Sequence, residues 1–480
     1  MRVAVIGGGI SGLAAAHRLR TLLGSGAAIT VLEQRDRLGG VLRTIDLAGV
    51  PYDVGAEAFL ARRPEIPALL AELGIAGELV HPTSAAPSIR AGGRTGALPG
   101  GTLLGVPTSA ARLDSLLSGH GAAAVAAEPD LPLSWEPGGD VVLGRLLRAR
   151  FGDELADRLA DPLLGGVYAG RVDALGLRAT IPALAAALDE GAPSLTEAAT
   201  QAAAPPTTAP ESGPGAAGPV FGALRGGYQV LLDALVAAAR AEIRLRTTVR
   251  ALQRTPAGWR LTLGPTTSPE VLDVDAVLLA VPAPAAARVL ADVAPVAAQA
   301  AGEIELASSV VVALAYRAAD ASTLPPTSGV LVASDEPLAI KGATHSTSKW
   351  AHLAPDGMVR LRASLGRFGE AATLQVDDAE LVRRVRADLA TLTGITAEPV
   401  AVHVQRWGGG LPQYAVRHLD RVCAIEDGMP AGLAVAGAAL HGVGVPACVG
   451  TARAAAERLA DALDRQDGSM ETWHASTTPS

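Results

Sequence analysis

Residues 1–12 read Met1-Arg2-Val3-Ala4-Val5-Ile6-Gly7-Gly8-Gly9-Ile10-Ser11-Gly12. An apolar run of Val and Ile breaks into glycines and then into the pattern of a helix over 13–23, which sets out a buried strand, a tight turn and a helix. In such a turn Gly7 permits the reversal, Gly9 lets a pyrophosphate approach the backbone, and Gly12 lets helix and strand pack closely. The first N–H groups of the helix then face the phosphates. The spacing alone is weak evidence in a chain with 54 glycines. Context strengthens it: a second apolar strand over 28–32 ends in Glu33, about 20 residues past Gly12, where a carboxylate accepts both ribose hydroxyls of an adenosine. Glycines in a turn beside a surface Glu are the weaker alternative.

These elements leave NAD and FAD equally open. The next stretch, Arg35-Asp36-Arg37-Leu38-Gly39-Gly40-Val41-Leu42-Arg43-Thr44, resembles the Arg-x-Gly-Gly-x-x-x-Ser/Thr segment of flavoproteins related to amine oxidases. Its glycine doublet exposes further backbone N–H groups near the diphosphate, and Arg43 is placed to neutralise it. Arg35 and Arg37 read equally well as solvated side chains.

The totals exclude several classes. A chain of 480 residues supports about two to four structural units and a large core. Aromatic content of 3% argues against an aromatic platform for nucleic acid, and a net charge of −8 against any global attraction to a phosphate backbone. Cys423 and Cys448 lie in no Cys-x-x-Cys or His/Cys cluster, so neither metal site nor redox dithiol is expected, and a reduced cytoplasmic setting is the plain reading. The N-terminal apolar run is too short for a signal peptide, and prolines and charges interrupt residues 276–301, so no transmembrane segment is expected while peripheral membrane contact stays open.

Residues 45–52 suggest a hairpin turning at Gly49 and Pro51, 67–79 a helix, and 88–99 a hairpin turning at Gly92-Gly93. Residues 121–128 are of low complexity, and 141–159 return to a helical pattern. The Ala/Pro/Thr/Ser/Gly tract 191–219 reads as a flexible linker. Helix 230–241, strand 243–246, a meander over 249–274 and the buried strand 275–281 follow. The run 308–316 reads as a central strand paired with 330–333, 339–342 and 359–363, a floor made positive by Lys349, His352, Arg360 and Arg362, of which two are expected to face outward. Helix 378–392, a flexible turn at Gly408–Gly410, a strand over 433–437 and a long helix over 446–464 complete the chain, and 466–480 reads as a disordered tail.

From Asp161-Pro-Leu-Leu-Gly-Gly-Val-Tyr-Ala-Gly170 the sequence resembles the oxygen-dependent porphyrinogen oxidase family, the coproporphyrinogen III and protoporphyrinogen oxidases, in its Gram-positive type. The resemblance covers nearly the whole chain. It includes Gly55-Ala-Glu-Ala-Phe-Leu-Ala-Arg-Arg-Pro64, Phe221-Gly-Ala-Leu-Arg-Gly-Gly-Tyr-Gln229, Ser348-Lys-Trp-Ala-His352, Arg406-Trp407 with Leu411-Pro-Gln-Tyr414, and Gly437-Ala-Ala-Leu-His-Gly-Val-Gly-Val-Pro446. One departure stands out, Ser364 in place of the aromatic residue of many relatives; Ala438, where disulfide reductases carry an Asp, fits the porphyrinogen oxidases.

The resemblance implies an α/β architecture with a Rossmann-like FAD-binding domain assembled from 1–65, 220–295 and 400–465. A helical subdomain over 66–190 and an α+β substrate-binding domain over 300–395 complete it. It assigns FAD contacts to Gly7, Gly8, Gly9, Ile10, Ser11, Gly12, Glu33, Gln34, Gly39, Gly40, Val41, Arg43, Gly55, Ala56, Glu57, Ala58, Val249, Trp407, Gly437, Gly442, Val443, Gly444 and Val445. Arg62, Arg63, Arg90, Arg94, Lys349 and Arg362 are the candidates for substrate propionates. No catalytic side chain is identified; the scattered histidines read as structural, and the flavin carries the chemistry. The implied reaction is six-electron oxidation of coproporphyrinogen III by dioxygen in heme biosynthesis, giving hydrogen peroxide, with a ferrochelatase as downstream partner. Three alternatives stay open: protoporphyrinogen IX as substrate, a different flavin oxidase such as an amine oxidase or carotenoid desaturase, which the aromatic-poor chain does not favour, and a non-catalytic flavoprotein scaffold for tetrapyrrole.

Overall fold

The computed structural model describes residues 1–204 and 219–475. Its nucleotide half is a five-stranded parallel sheet in the spatial order Glu242–Arg244, Ala28–Leu32, Arg2–Ile6, Ala276–Leu279, Leu433–Val435. The central strands are apolar throughout because helices cover both faces, and Val3, Ala4 and Val5 are wholly buried. Helices Ile10–Leu23, Tyr228–Ala239 and Val445–Ala475 pack on one face. The meander Val249–Thr255, Gly258–Leu263, Glu270–Val274 and helices Ala283–Leu290 and Pro295–Gly302 pack on the other. Strand order reverses at Arg2–Ile6, and in doubly wound sheets that switch point opens a crevice at the carboxyl ends of the strands.

The second half is a seven-stranded sheet in the order Ala401–Pro412, Leu306–Arg317, Met358–Leu365, Ile340–Thr344, Gly329–Val332, Pro87–Ala91, Arg94–Ala97. Val310, Val312, Leu314, Leu361, Ala363 and Leu365 point to one face and pack under helix Asp378–Thr393. The alternate residues face the nucleotide half and a helical subdomain built on Leu143, Leu147, Phe151, Leu155 and Leu184.

Several expectations differ from this structure. Strand Leu306–Arg317 pairs with Met358–Leu365 and Ala401–Pro412, while Gly329–Val332 and Ile340–Thr344 lie further along the sheet. Gly408–Gly410 belongs to strand Ala401–Pro412 and not to a turn: Gly409 N–H donates to Ser308 Oγ at 3.0 Å, and a register shift between Ala307 and Ser309 absorbs the irregularity. That strand belongs to the substrate-side sheet, so the third nucleotide segment joins its own sheet only at Leu433.

The low-complexity run near 121 forms helix Gly119–Ala127, and the segment expected to be helical over 67–79 is helix Glu65–Glu72 followed by one 3-10 turn, Ala76–Glu78. The tract expected to be a linker from 191 carries helix Leu195–Ala203, capped by Ser194, whose Oγ accepts Glu197 N–H at 3.1 Å. Glu128, fully buried, accepts N–H from Leu195 at 2.9 Å and from Thr196 at 3.1 Å and pairs with Arg150 at 2.6 Å, so a carboxylate anchors the start of an alanine-rich helix. The rest of the expected linker, 205–218, lies outside the described residues. The expected tail from 466 continues the last helix to Ala475, and 476–480 lie outside the described residues.

Candidate functional site

At the switch point the first glycine turn is built into its neighbours. A Cβ at Gly12 would lie 1.8 Å from the Gly7 carbonyl oxygen, so only glycine lets the helix leave the strand at this angle. Above Gly9 the space is open, with Gly40 Cα at 3.9 Å the nearest atom to a Cβ there. Gly39 N–H donates to the Gly8 carbonyl at 2.8 Å, so the two glycine segments lie side by side. No side chain caps the helix start at Gly9, and no acidic residue occupies the first turn of Ile10–Leu23, which leaves its positive end to an anion. Ile10 and Ser11 are buried in that turn.

Glu33 is buried; Oε2 accepts Gly8 N–H and Oε1 accepts Arg35 N–H, each at 2.8 Å. Each oxygen keeps a second lone pair. Gln34 beside it is exposed, and Val249 opens the strand reached from Thr247, whose N–H donates to the Glu33 carbonyl at 2.9 Å. Arg37 is not a solvated side chain: its guanidinium donates to the carbonyls of Leu38, Gly40 and Leu42 and lies 5.9 Å from the centroid of Trp407, bracing the doublet loop. Arg43 donates to Gln405 Oε1 at 2.6 Å, while Val41 is exposed.

From the opposite side, Gly55 lies so close to the Val41 carbonyl that a Cβ would stand 1.9 Å from its oxygen, and Trp407 Nε1 donates to Val54 O at 2.9 Å. The last helix starts at the same corner: Gly437 N–H donates to Thr451 Oγ1 at 3.1 Å, a Cβ on Gly437 would be 3.9 Å from Ser11 Oγ, and Gly442, Val443 and Gly444 lead into Val445. Tyr414, which sequence reasoning gave no role, ties this loop to the helical subdomain; its hydroxyl donates to Ala438 O at 2.6 Å and its ring stacks on His418 at 3.9 Å.

Between Ala56 and Ala58, Glu57 is largely buried at the centre of a charge knot. Its Oε1 accepts from Lys349 Nζ at 2.9 Å and from Trp350 Nε1, and its Oε2 faces Arg362 Nε at 3.0 Å without a directed hydrogen bond. Arg362 donates instead to the carbonyls of Asp53 and Gly55. Burial raises the Glu57 carboxyl, but Lys349 and then Arg362 outweigh it and hold it at about 2. Asp53, largely buried and accepting from Thr44 Oγ1 and Tyr228 N–H, is pushed up to about 7, mainly by burial.

The remaining propionate candidates are dispersed. Arg63 pairs with Glu65, Arg90 with Glu336 at 3.1 Å, and Arg94 is exposed on the edge strand. Arg360, expected to charge the floor, is fully buried and bonded to the carbonyls of Leu47, Ala48 and Leu353 and to Asp356. Ser309, Arg362, Ser364, Gly342 and Leu331, on interior strands of the seven-stranded sheet, are nonetheless partly exposed, so this face lines a cleft between Trp407 and helix Asp161–Tyr168.

The open cradle over Gly9, the two helix N-termini and the buried Glu33 fit a dinucleotide, and the partly exposed face of the large sheet lies beside them. Fold and site together define an FAD-dependent oxidoreductase. Residues 10–460 match the family described as flavin containing amine oxidoreductase. The coproporphyrinogen III oxidase of Mycobacterium leprae is 47% identical, over 95% of this chain and 97% of that one, and the enzyme of that name from Bacillus subtilis is 28% identical over 96% and 97%. A solved structure from Exiguobacterium sp., a candidate protoporphyrinogen oxidase, superposes with a TM-score of 0.80 at 31% identity, covering 96% of this chain and 98% of its own. The chain belongs to the flavin-containing amine oxidoreductases, in their porphyrinogen oxidase branch. Among the described residues no helix is long and apolar enough to cross a membrane.

Proposed function

We propose that the protein oxidises coproporphyrinogen III to coproporphyrin III in heme biosynthesis, passing six electrons to three molecules of dioxygen and releasing three of hydrogen peroxide. The observation that carries this reading is the cleft-facing side of the seven-stranded sheet, whose small residues Ser309, Gly342 and Ser364 make a broad floor ending at Gly55 and Trp407. A broad macrocycle suits that floor, and relatives at 46–47% identity carry the matching name.

In this reading the pyrophosphate of FAD lies over Gly7–Gly12 and the Gly39-Gly40 doublet, its adenosine ribose on Glu33, and its ring beside Gly55–Ala58, Trp407 and Gly442–Val445. When bound, FAD supplies the two-electron acceptor for each oxidation. The chain supplies position: Arg37 and Trp407 fix the loops that would border the ring, and the Glu57 knot holds segment 53–58 against the sheet. Pyrrole protons leave to water, and a ferrochelatase is the expected consumer of the product. Aerobic incubation with each porphyrinogen, following porphyrin fluorescence and peroxide together, tests this. The expected result is higher kcat/KM for coproporphyrinogen III; equal or better turnover of protoporphyrinogen IX reverses the assignment.

A further inference from the structure

Lys341 and Arg367 are two cations on the cleft side that neither the charge knot nor the nucleotide cradle uses. Lys341 sits where the register between its strand and Met358–Leu365 shifts: Ile340 lies opposite Leu365, but Gly342 lies opposite Ser364. Ile340 and Ala343 both belong to the core beneath helix Asp378–Thr393, so the extra residue is turned with Gly342 toward the cleft. Bulges commonly re-aim a side chain in this way beside active sites. Lys341 Nζ donates to the Gly366 carbonyl at 2.8 Å, and Arg367, next in the chain, donates a long bond of 3.4 Å to Val332 O.

Neither cation has an ion-pair partner among the described residues. The carboxylates nearby are otherwise engaged. Glu370 pairs with Arg171 at 2.5 Å and accepts the backbone N–H of Arg367 at 3.1 Å, while Asp161 accepts Val172 N–H at 2.9 Å and stays outside ion-pair distance of Arg367. Burial, and then the Arg367 charge, push the Lys341 amine down to about 8 against the opposing pull of Glu370, so two like charges share a largely desolvated corner. An anion between them relieves both terms. Leu331 borders the same corner, 3.9 Å from where a Cβ on Gly166 would sit.

We propose that Lys341 and Arg367 together seat a carboxylate of the substrate, a propionate of the tetrapyrrole, and so set its orientation on the sheet. Of the six candidates weighed from sequence, Lys349 and Arg362 hold Glu57, Arg90 holds Glu336, Arg63 holds Glu65, Arg94 lies on the outer edge, and Arg62 is exposed beside Arg63. This inference rests on the porphyrinogen reading. Anaerobic bleaching of the wild-type flavin by coproporphyrinogen III tests that reading by itself, and fluorescence titration of the holoenzyme with coproporphyrin III tests the seat whether or not bleaching occurs.

In the holoenzyme, Lys341→Gln and Arg367→Gln are expected to weaken coproporphyrin III binding and raise KM for coproporphyrinogen III by about tenfold or more each, as for a lost charge-assisted hydrogen bond. The expected kcat stays within about threefold, and Lys341→Arg retains most of the affinity. The neutral tetramethyl ester is expected to respond to neither Gln substitution. Unchanged affinity for the acid in variants with a native flavin spectrum overturns the proposal, as does an equal loss for acid and ester.

Discussion

Replacing Glu57 by Gln probes the knot that fixes segment 53–58 to the substrate-side sheet. The substitution keeps an acceptor for Trp350 but leaves the half-buried Lys349 and Arg362 without a countercharge. Removing one partner of a buried pair costs about 3–5 kcal/mol. An independent route gives a similar size: a carboxyl held at about 2 against an ordinary 4.5 links ionisation to roughly 3 kcal/mol of stability. Because the folded-state value is depressed, this contribution is present above about pH 4.5 and is lost as pH falls toward 2. Urea unfolding of the holoenzyme, followed by far-ultraviolet circular dichroism and flavin fluorescence, should show Glu57→Gln destabilised by about 3 kcal/mol at pH 7, with the gap narrowing below about pH 4. Adding Lys349→Met should recover part of the loss, since one uncompensated charge is then gone. A difference under about 1 kcal/mol at pH 7, or one that does not shrink in acid, refutes the reasoning.

Gly55→Ala forces a methyl group to within 1.9 Å of the Val41 carbonyl oxygen, so either the doublet loop or segment 53–58 must move. The purified variant should carry far less flavin, with affinity for FAD reduced at least about tenfold; a full complement of bound flavin by absorbance rules this out. His418, buried against Tyr414 and Leu440, is lowered to about 4, chiefly by burial. The unfolded chain therefore binds the extra proton first, and stability should fall as pH drops from about 6.5 to 4. His418→Gln should flatten that part of the pH–stability profile, and an unchanged slope in the variant counts against it.

The nucleotide half was legible because its signals are local. Gly12 is demanded by the Gly7 carbonyl, five residues back in the chain, and Val3–Ile6 is apolar on both faces because each face meets a helix or strand layer. Helix Leu195–Ala203 was hidden in a small-residue tract, because its anchor, Glu128, comes from a segment 67 residues earlier. Arg37 read equally well as a solvated side chain, and Arg360 as one of four cations charging the floor; their guanidinium groups are instead satisfied by carbonyls, one set from Arg37's own loop as it folds around it and the other brought in from residues 47, 48 and 353.

The sequence by itself determined the glycine turn, the strand and helix periods around it, the flavoprotein class and the family. Tertiary structure alone decided which cations are already paired with a carboxylate. Lys349 and Arg362 meet a carboxylate some 290 to 305 residues away, and Lys341 turns toward the cleft through a one-residue shift in register. Periodicity reports which face of an element is apolar, but the pairing of charges and the register of strands depend on contacts between segments that no local window contains.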